Sequence, residues 1–325
     1  MHGQAALRGP DLHNSATTPA LHIIAMSTPQ ACNMLTCFLF WLRRMMLHDP
    51  GPTHYRVHLW EHTPPMGASG NDDYRSHAFK HAASGKAQFI CNVLSEVAED
   101  SWVIFTDMDI MPLGFWSALP GLYMSRHDLV FQYNYIMTLP ANVGFILMRN
   151  NAAVRDYMTR WRLLVDYWRR RNAREKGESH ANDANDQALA NLVLIRQYGL
   201  HGPDGCRKRR GCMAETAFFD DYPRNASIPS PRITLFDRDA DGRPNALITG
   251  ADRHVTNGSY AVHAFGNANH SAKLRFMERV LEKPLWSEGP HPWQRMCTDA
   301  IQEASCADDL KTHRRGRHNN HTAPS

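Results

Sequence analysis

The sequence predicts an α/β fold: a mainly parallel central sheet flanked by helices, Rossmann-like in layout and built as a single domain. Three observations predict it. Apolar runs of strand length alternate with stretches of helical periodicity through the first half of the chain. The 325 residues are 43% hydrophobic and 21% charged, enough apolar material for one large core. No internal repeat and no strong linker divides the chain.

The elements follow in order. Leu21 to Met26 is a short apolar run closed by Ser27-Thr28-Pro29, a strand and its turn. Met34, Leu35, Phe38, Leu42, Met45 and Met46 recur at helical spacing, and Asp49-Pro50-Gly51-Pro52 stops that helix. Tyr55 to Trp60 reads as the second strand. Lys86 to Val97 reads as the second helix, with Phe89, Ile90, Val93, Leu94 and Val97 on one face. Strand Trp102 to Thr106 follows at once. Further on, Asn142 to Met148 reads as a strand and Val154 to Trp168 as an amphipathic helix. A polar loop is expected from Arg169 to His180, then a helix from about Asp183 to Gln197 stopped by Gly199. Arg232–Phe236 and Ala246–Thr249 are expected to form a hairpin. The expected organisation is a flexible N-terminal segment over 1–20, one domain over 21–290 and a polar tail over 291–325.

Composition excludes several classes. The formal charge is a modest +4, and the basic runs Arg207–Arg210 and Arg314–Arg317 lack the interleaved aromatics of a nucleic-acid platform, so no nucleic-acid partner is expected. The most apolar stretch, Met34 to Leu42, runs into Arg43 and Arg44, far short of the roughly 20 apolar residues a spanning helix needs. Met1 to Ala20 is polar and lacks the apolar heart of a signal peptide. The seven cysteines form no CxxC and no zinc spacing, but Cys206/Cys212 and Cys297/Cys306 are local pairs suited to disulfides in an oxidising compartment. Sequons at Asn225, Asn257, Asn269 and Asn320 lean the same way. These two features lean slightly toward a Golgi-type secretory lumen over the cytoplasm, and the sequence leaves the compartment open.

The chemistry concentrates in Trp102-Val103-Ile104-Phe105-Thr106-Asp107-Met108-Asp109-Ile110-Met111-Pro112-Leu113. A buried strand delivers two carboxylates, one residue apart, to its carboxyl end, where open α/β sheets bind ligands. Two such groups with no adjacent basic residue repel each other, and a hard divalent cation relieves the repulsion through oxygen ligands. That cation also suits the two phosphates of a nucleotide sugar and the charge of a departing diphosphate.

The segment resembles the DxD motif of nucleotide-diphospho-sugar transferases of the GT-A fold, as do the lysine-led helix upstream and the wording Phe105 to Leu113. The resemblance spans roughly Leu21 to Phe276. It implies a metal-dependent glycosyltransferase with Asp107 and Asp109 as metal ligands, Mn²⁺ or Mg²⁺ as the ion and a UDP-sugar as donor. A glycan, a protein side chain or a small molecule would be the acceptor. Ala141 to Asn150 looks like the Asn-X-Gly-Phe strand of retaining members, in which Asn142 would meet sugar hydroxyls and Gly144 would let the backbone approach the donor. Asn185 to Asn191 opens the next helix and resembles a recurrent Asp-Gln pair with a following Asn, here Asn191, which makes Asp186 and Gln187 candidates for the reacting centre; an Asp there also suits the helix dipole. Tyr260 to Gly266 resembles the family's C-terminal His-then-Gly strand, so His263 would be the third metal ligand, and nitrogen beside carboxylates suits Mn²⁺. Lys273 is the nearest match to a diphosphate-contacting lysine, at a spacing that departs from the common pattern. Lys86 is a second cationic candidate, for the phosphates or the base.

Three alternatives stand beside this. Asp237 to Gly242 imitates the start of a calcium loop, but its twelfth position is Ile248 and β-like runs flank it, which favours a turn. A haloacid-dehalogenase-type phosphatase also begins on a strand ending in Asp-X-Asp, with Phe218-Phe219-Asp220-Asp221 as a later acidic motif. Its motif, however, stands near the chain start and carries Thr or Val where Met111 stands here. A non-catalytic GT-A-like domain that binds a sugar or nucleotide without turnover is the third.

Overall fold

The computed structural model describes residues 20–28, 32–51, 54–61, 77–123, 125–133, 141–182, 185–200, 216–236, 248–250, 260–264 and 273. Both basic runs, both local cysteine pairs, the calcium-like loop, the sequons Asn257, Asn269 and Asn320, and the tail over 291–325 lie outside them. So does the N-terminal segment up to residue 19. Among the described residues no helix is long and apolar enough to cross a membrane.

The first half alternates as expected: β1 (Leu21–Ser27), α1 (Cys32–His48), β2 (Tyr55–Glu61), α2 (His77–Glu96) and β3 (Trp102–Thr106). Three short elements that the sequence reading passes over come next, β4 (Ile110–Pro112), α3 (Ala118–Tyr123) and β5 (Leu129–Tyr133). They are followed by β6 (Ala141–Arg149), α4 (Ala152–Lys176), α5 (Asp186–Tyr198), α6 (Thr216–Asp221), β7 (Ile233–Leu235), β8 (Ile248–Gly250) and β9 (Ala261–His263).

Six strands form the main sheet in the order β2-β1-β3-β6-β5-β7. The pairs β1·β2, β1·β3 and β5·β7 are parallel, while β6 is antiparallel to both its neighbours. Thus β6 alone runs against the other five, and the expected α/β architecture, a mainly parallel sheet flanked by helices, holds. The strands are apolar on both faces because both are covered. On β1, Leu21, Ile23 and Ala25 enter one core with Met34, Phe38, Leu42 and Met45 of α1, while Ile24 enters the other. On β3, Ile104 joins the α1 side, and Val103 and Phe105 face α2, α4 and α5. This alternation is the period-two side-chain rule applied to a sheet with two buried faces.

Two expectations are corrected. Arg169 to His180 is not a polar loop: α4 continues to Lys176 and ends at Gly177, whose φ of 94° suits glycine. The residues from Arg169 to Lys176 are mostly good helix formers, and the i,i+4 pair Arg171–Glu175 at 2.9 Å supports the extension. Nor do the two late strands make a hairpin. β7 joins the main sheet beside β5, whereas β8 lies beside β9 in a second, three-stranded sheet of order β4-β9-β8. A run of three or four apolar residues carries no information about which sheet edge it will complete.

Candidate metal centre and donor-binding site

The site is assembled at the carboxyl end of β3. Asp107 follows Thr106 directly, and its backbone N–H donates to Gly144 O at 2.7 Å, which ties the motif to β6. The chain then turns, with Ile110 N–H donating to Asp107 O at 3.1 Å, and enters β4. β4 pairs antiparallel with β9, which sets Ile110 opposite His263, and Ala264 N–H donates to Asp109 O at 2.8 Å. The small second sheet is therefore what carries a histidine from the far end of the sequence to the Asp-X-Asp turn.

Asp107, Asp109 and His263 offer ligand atoms that all lie within 4.8 Å of one another, the one such group of three among the described residues. Asp109 and His263 are buried, and Asp107 is partly exposed. His263 Nε2 stands 3.4 Å from Asp109 Oδ1, and that oxygen is buried without a hydrogen-bond partner. A buried carboxylate oxygen left unpaired costs on the order of 1–3 kcal/mol unless a cation occupies the space in front of it. Two carboxylates and one imidazole are a donor set that fits a divalent ion such as Mn²⁺.

Two lysines complete the charge balance. As the crossover between parallel β2 and β3, α2 runs against the strands. Helical side chains lean toward their helix N-terminus, so Lys86 is carried toward the strands' carboxyl ends. Its ammonium passes over the Phe105 ring, 5.1 Å from the centroid, and meets Asp107 Oδ1 at 3.1 Å and Asp186 Oδ2 at 3.2 Å. Lys273 Nζ lies 2.5 Å from Asp109 Oδ2. Burial works against the charge of Lys86, but Asp107 and Asp186 outweigh it and raise its pKa above the ordinary lysine value. The same opposition, with Asp109 winning, raises Lys273. Burial also disfavours the Asp109 carboxylate, yet the adjacent Lys273 ammonium holds it well below the usual range. Desolvation raises the Asp107 carboxyl; Lys86 opposes this, Asp109 adds to it, and the net direction is up. Two neighbouring carboxyls are thus pushed apart, a pattern typical of sites.

Every residue that the sequence reading singled out for the site is described, and most converge. Asp186 opens α5, which is capped by Asn185 accepting from Ala188 N–H at 3.0 Å, and reaches the cluster through Lys86. Gln187 is half-buried beside it. Asn142 is buried, and its Oδ1 accepts from Gly144 N–H at 2.7 Å, so that oxygen is directed at the backbone and not at a sugar. Gly144 has a different reason to be glycine from the one expected. A Cβ there would stand 2.9 Å from His263 Cε1, 3.0 Å from Asn142 Oδ1 and 3.0 Å from Asp107 Oδ2. The missing side chain makes room for the side chains of Asp107 and His263, two of the three candidate ligands.

Asn191, the Asn that follows the Asp-Gln pair, has a structural job that the motif does not state, and Gln132 escaped the sequence reading altogether. Asn191, fully buried, accepts from Ala141 N–H at 2.9 Å and donates to Ala141 O at 2.7 Å and Gln187 O at 2.8 Å, clamping α5 to the start of β6. Gln132 Oε1 accepts from His263 Nδ1–H at 2.9 Å. The signal for Gln132 was a lone amide in the apolar strand Leu129-Val130-Phe131-Gln132-Tyr133. By contrast Asp220 and Asp221, the acidic motif of the phosphatase alternative, are exposed on α6 and take no part in the carboxylate cluster.

No family model matches the chain, and no curated protein matches its sequence. Among solved structures, it is similar to a glycosyltransferase involved in glycosylation of the major capsid of PBCV-1, at 11% identity over 80% of this chain and 99% of that one, with a TM-score of 0.38. It is also similar to the galactosyltransferase LgtC in complex with donor and acceptor sugar analogs, at 10% identity over 84% and 99%, with a TM-score of 0.40. A third is the WbbM bifunctional glycosyltransferase, at 8% identity over 89% of this chain and 53% of that one, with a TM-score of 0.44. Identities and superpositions at this level leave function to be argued from the site.

Proposed function

We propose that this protein is a metal-dependent glycosyltransferase that moves a sugar from a nucleotide-diphosphate donor, a UDP-sugar, to an acceptor hydroxyl with retention of configuration. The observation that carries the reading is a convergence. Asp107, Asp109 and His263 meet within 4.8 Å at the carboxyl end of a sheet strand, with one lysine against each carboxylate. Four separate sequence motifs contribute to that one place.

Asp107, Asp109 and His263 hold the cation, with Mn²⁺ favoured by the nitrogen ligand and Mg²⁺ as the alternative. When bound, the ion supplies positive charge to the diphosphate as it departs. Lys273 and Lys86, both kept charged by their carboxylate partners, add fixed positive charge toward the same phosphates. Asp186 and Gln187, at the first turn of α5, face the donor sugar. Asn142 and Gly144 form the floor beneath the ligands, and Asn142 Oδ1 holds the Gly144 N–H in place. Retention draws support from the state of the carboxylates. Asp107 and Asp186 face Lys86, and Asp109 faces Lys273, so each of the three is matched to a cation instead of standing ready as a general base. The departing phosphate then takes the acceptor proton.

The test is incubation with a panel of UDP- and GDP-sugars, with and without Mn²⁺, followed by detection of the freed nucleotide diphosphate. The reading expects release from one donor, lost on adding a chelator. Hydrolysis of an aryl phosphate without nucleotide would favour the phosphatase, and binding without turnover would favour the non-catalytic domain. NMR of the product anomer decides retention, which a purely inverted product refutes.

A further inference from the structure

We infer that Gln132 is a positioning residue that fixes the tautomer and the angle of His263, so that its Nε2 lone pair is presented to the cation; this rests on the cation reading above. Gln132 is 2% exposed and His263 5%, and Gln132 Oε1 lies 2.9 Å from His263 Nδ1. An amide oxygen only accepts, so Nδ1 carries the hydrogen and, in a neutral ring, Nε2 is left with its lone pair. Nε2 is the atom facing Asp109, 3.4 Å from an Oδ1 that has no hydrogen-bond partner. Two lone-pair atoms facing one another are what a shared cation relieves.

The backbone explains how a glutamine reaches this point. The pairing of β5 with β6 shifts register between Phe131, opposite Ile146, and Gln132, opposite Asn142. Val143, Gly144 and Phe145 lie in the step between those two pairs. Such irregularities re-aim side chains beside functional sites. Here the same irregularity turns Gln132 toward the imidazole and brings Gly144 against its Cε1 edge. Gln132 and Gly144 thus flank the ring, and Asp109 faces its Nε2. Hydrogen-bond partners of metal-ligating histidines typically change metal affinity by about 10–100-fold when removed.

The experiment uses the full chain, as wild type, Gln132→Leu and Gln132→Glu. Nitrogen-15 histidine NMR of the metal-free protein at neutral pH, with His263 assigned from a His263→Asn spectrum, reads the tautomer. Calorimetric titration with Mn²⁺ reads affinity, and circular dichroism with thermal melting verifies folding. The inference expects the Nδ1–H form in wild type, loss of that single tautomer in Gln132→Leu, and Mn²⁺ binding weakened by about 10–100-fold there. Gln132→Glu, which keeps an acceptor at the same place, recovers binding to within a few-fold. An Nε2–H tautomer in wild type overturns the inference whether or not a cation binds. So does a folded Gln132→Leu protein with unchanged tautomer and affinity. If the Nδ1–H form is present but wild type takes up no Mn²⁺, the cation reading itself fails and the inference falls with it.

Discussion

Replacing Gly144 with alanine adds one methyl group at the place where three ligand-bearing elements meet. Its carbon would stand 2.9 Å from His263 Cε1 and 3.0 Å from both Asn142 Oδ1 and Asp107 Oδ2. Ordinary contact begins near 3.4 Å, so each neighbour must yield by roughly half an ångström. None is free to do so cheaply: Asn142 is bonded to Gly144 N–H, His263 to Gln132 and Asp107 to Lys86. Overpacking of this kind costs about 1–3 kcal/mol. Gly144 is not among the glycines with positive φ, so alanine is backbone-compatible and recovers about 0.5–1 kcal/mol through the unfolded chain. The expected net loss is about 1–2 kcal/mol, a few degrees in Tm for a chain of this size. The functional loss is larger in proportion, because misplacing a reacting group by about 1 Å can remove roughly 100-fold in rate. Half that displacement, applied to two metal ligands together, predicts a fall of at least about 10-fold in Mn²⁺ affinity and in transfer. Calorimetric melting and Mn²⁺ titration measure the two effects. Gly121→Ala, where nothing lies within 4 Å of the added methyl, serves as the control. A Gly144→Ala protein with Mn²⁺ affinity and transfer within twofold of wild type would refute the reasoning.

Other consequences follow from the same structure. Asn191→Ala removes the three side-chain hydrogen bonds to the backbone of Ala141 and Gln187, so urea unfolding should show a loss of about 2–4 kcal/mol; a loss below about 1 kcal/mol contradicts the clamp. At the opposite, amino end of the sheet, His22 Nδ1 and His58 Nε2 lie 2.9 Å apart, and burial, then His58 and Arg56, lower the His22 pKa from 6.5 to about 4. Between those values the unfolded chain binds the extra proton, so this contribution is complete above pH 6.5 and is lost as pH falls toward 4. Allowing for solvent screening it is about 1–2 kcal/mol, read as the difference between wild type and His22→Leu in urea midpoints at pH 7 and pH 4.5. Parallel pH profiles for the two proteins would contradict it.

The parts of this fold legible in the sequence were those with a long periodic signal. The core positions of α1, α2 and α4 repeat at helical spacing, and β3 announces itself as an apolar run ending in two carboxylates. The helical continuation of α4 was obscured because Arg169 to Lys176 is polar all round, and only its ion pairing and cap mark it as helix. β4, β8 and β9 are three residues each, too short for a pattern, and their pairing is decided by the sheet they complete. The candidate ligands were readable because the chemistry demands particular atoms at a strand end. Gln132 was not, and Asn191 was legible only as part of the Asp-Gln motif, since each acts through a partner that only the folded chain brings near: an imidazole of the second sheet, and the backbone of a strand fifty residues away.

The most direct test of the central claim is electron paramagnetic resonance of Mn²⁺ titrated into wild type and into Asp109→Asn, with and without UDP. The account predicts one Mn²⁺ bound per wild-type chain, tightened by UDP. Asp109→Asn should keep its circular dichroism and melting profile but bind at least about 100-fold more weakly, because the substitution removes one of the three candidate ligands that meet among the described residues. Absence of a stoichiometric site in wild type, or equal binding by the two proteins, would contradict it.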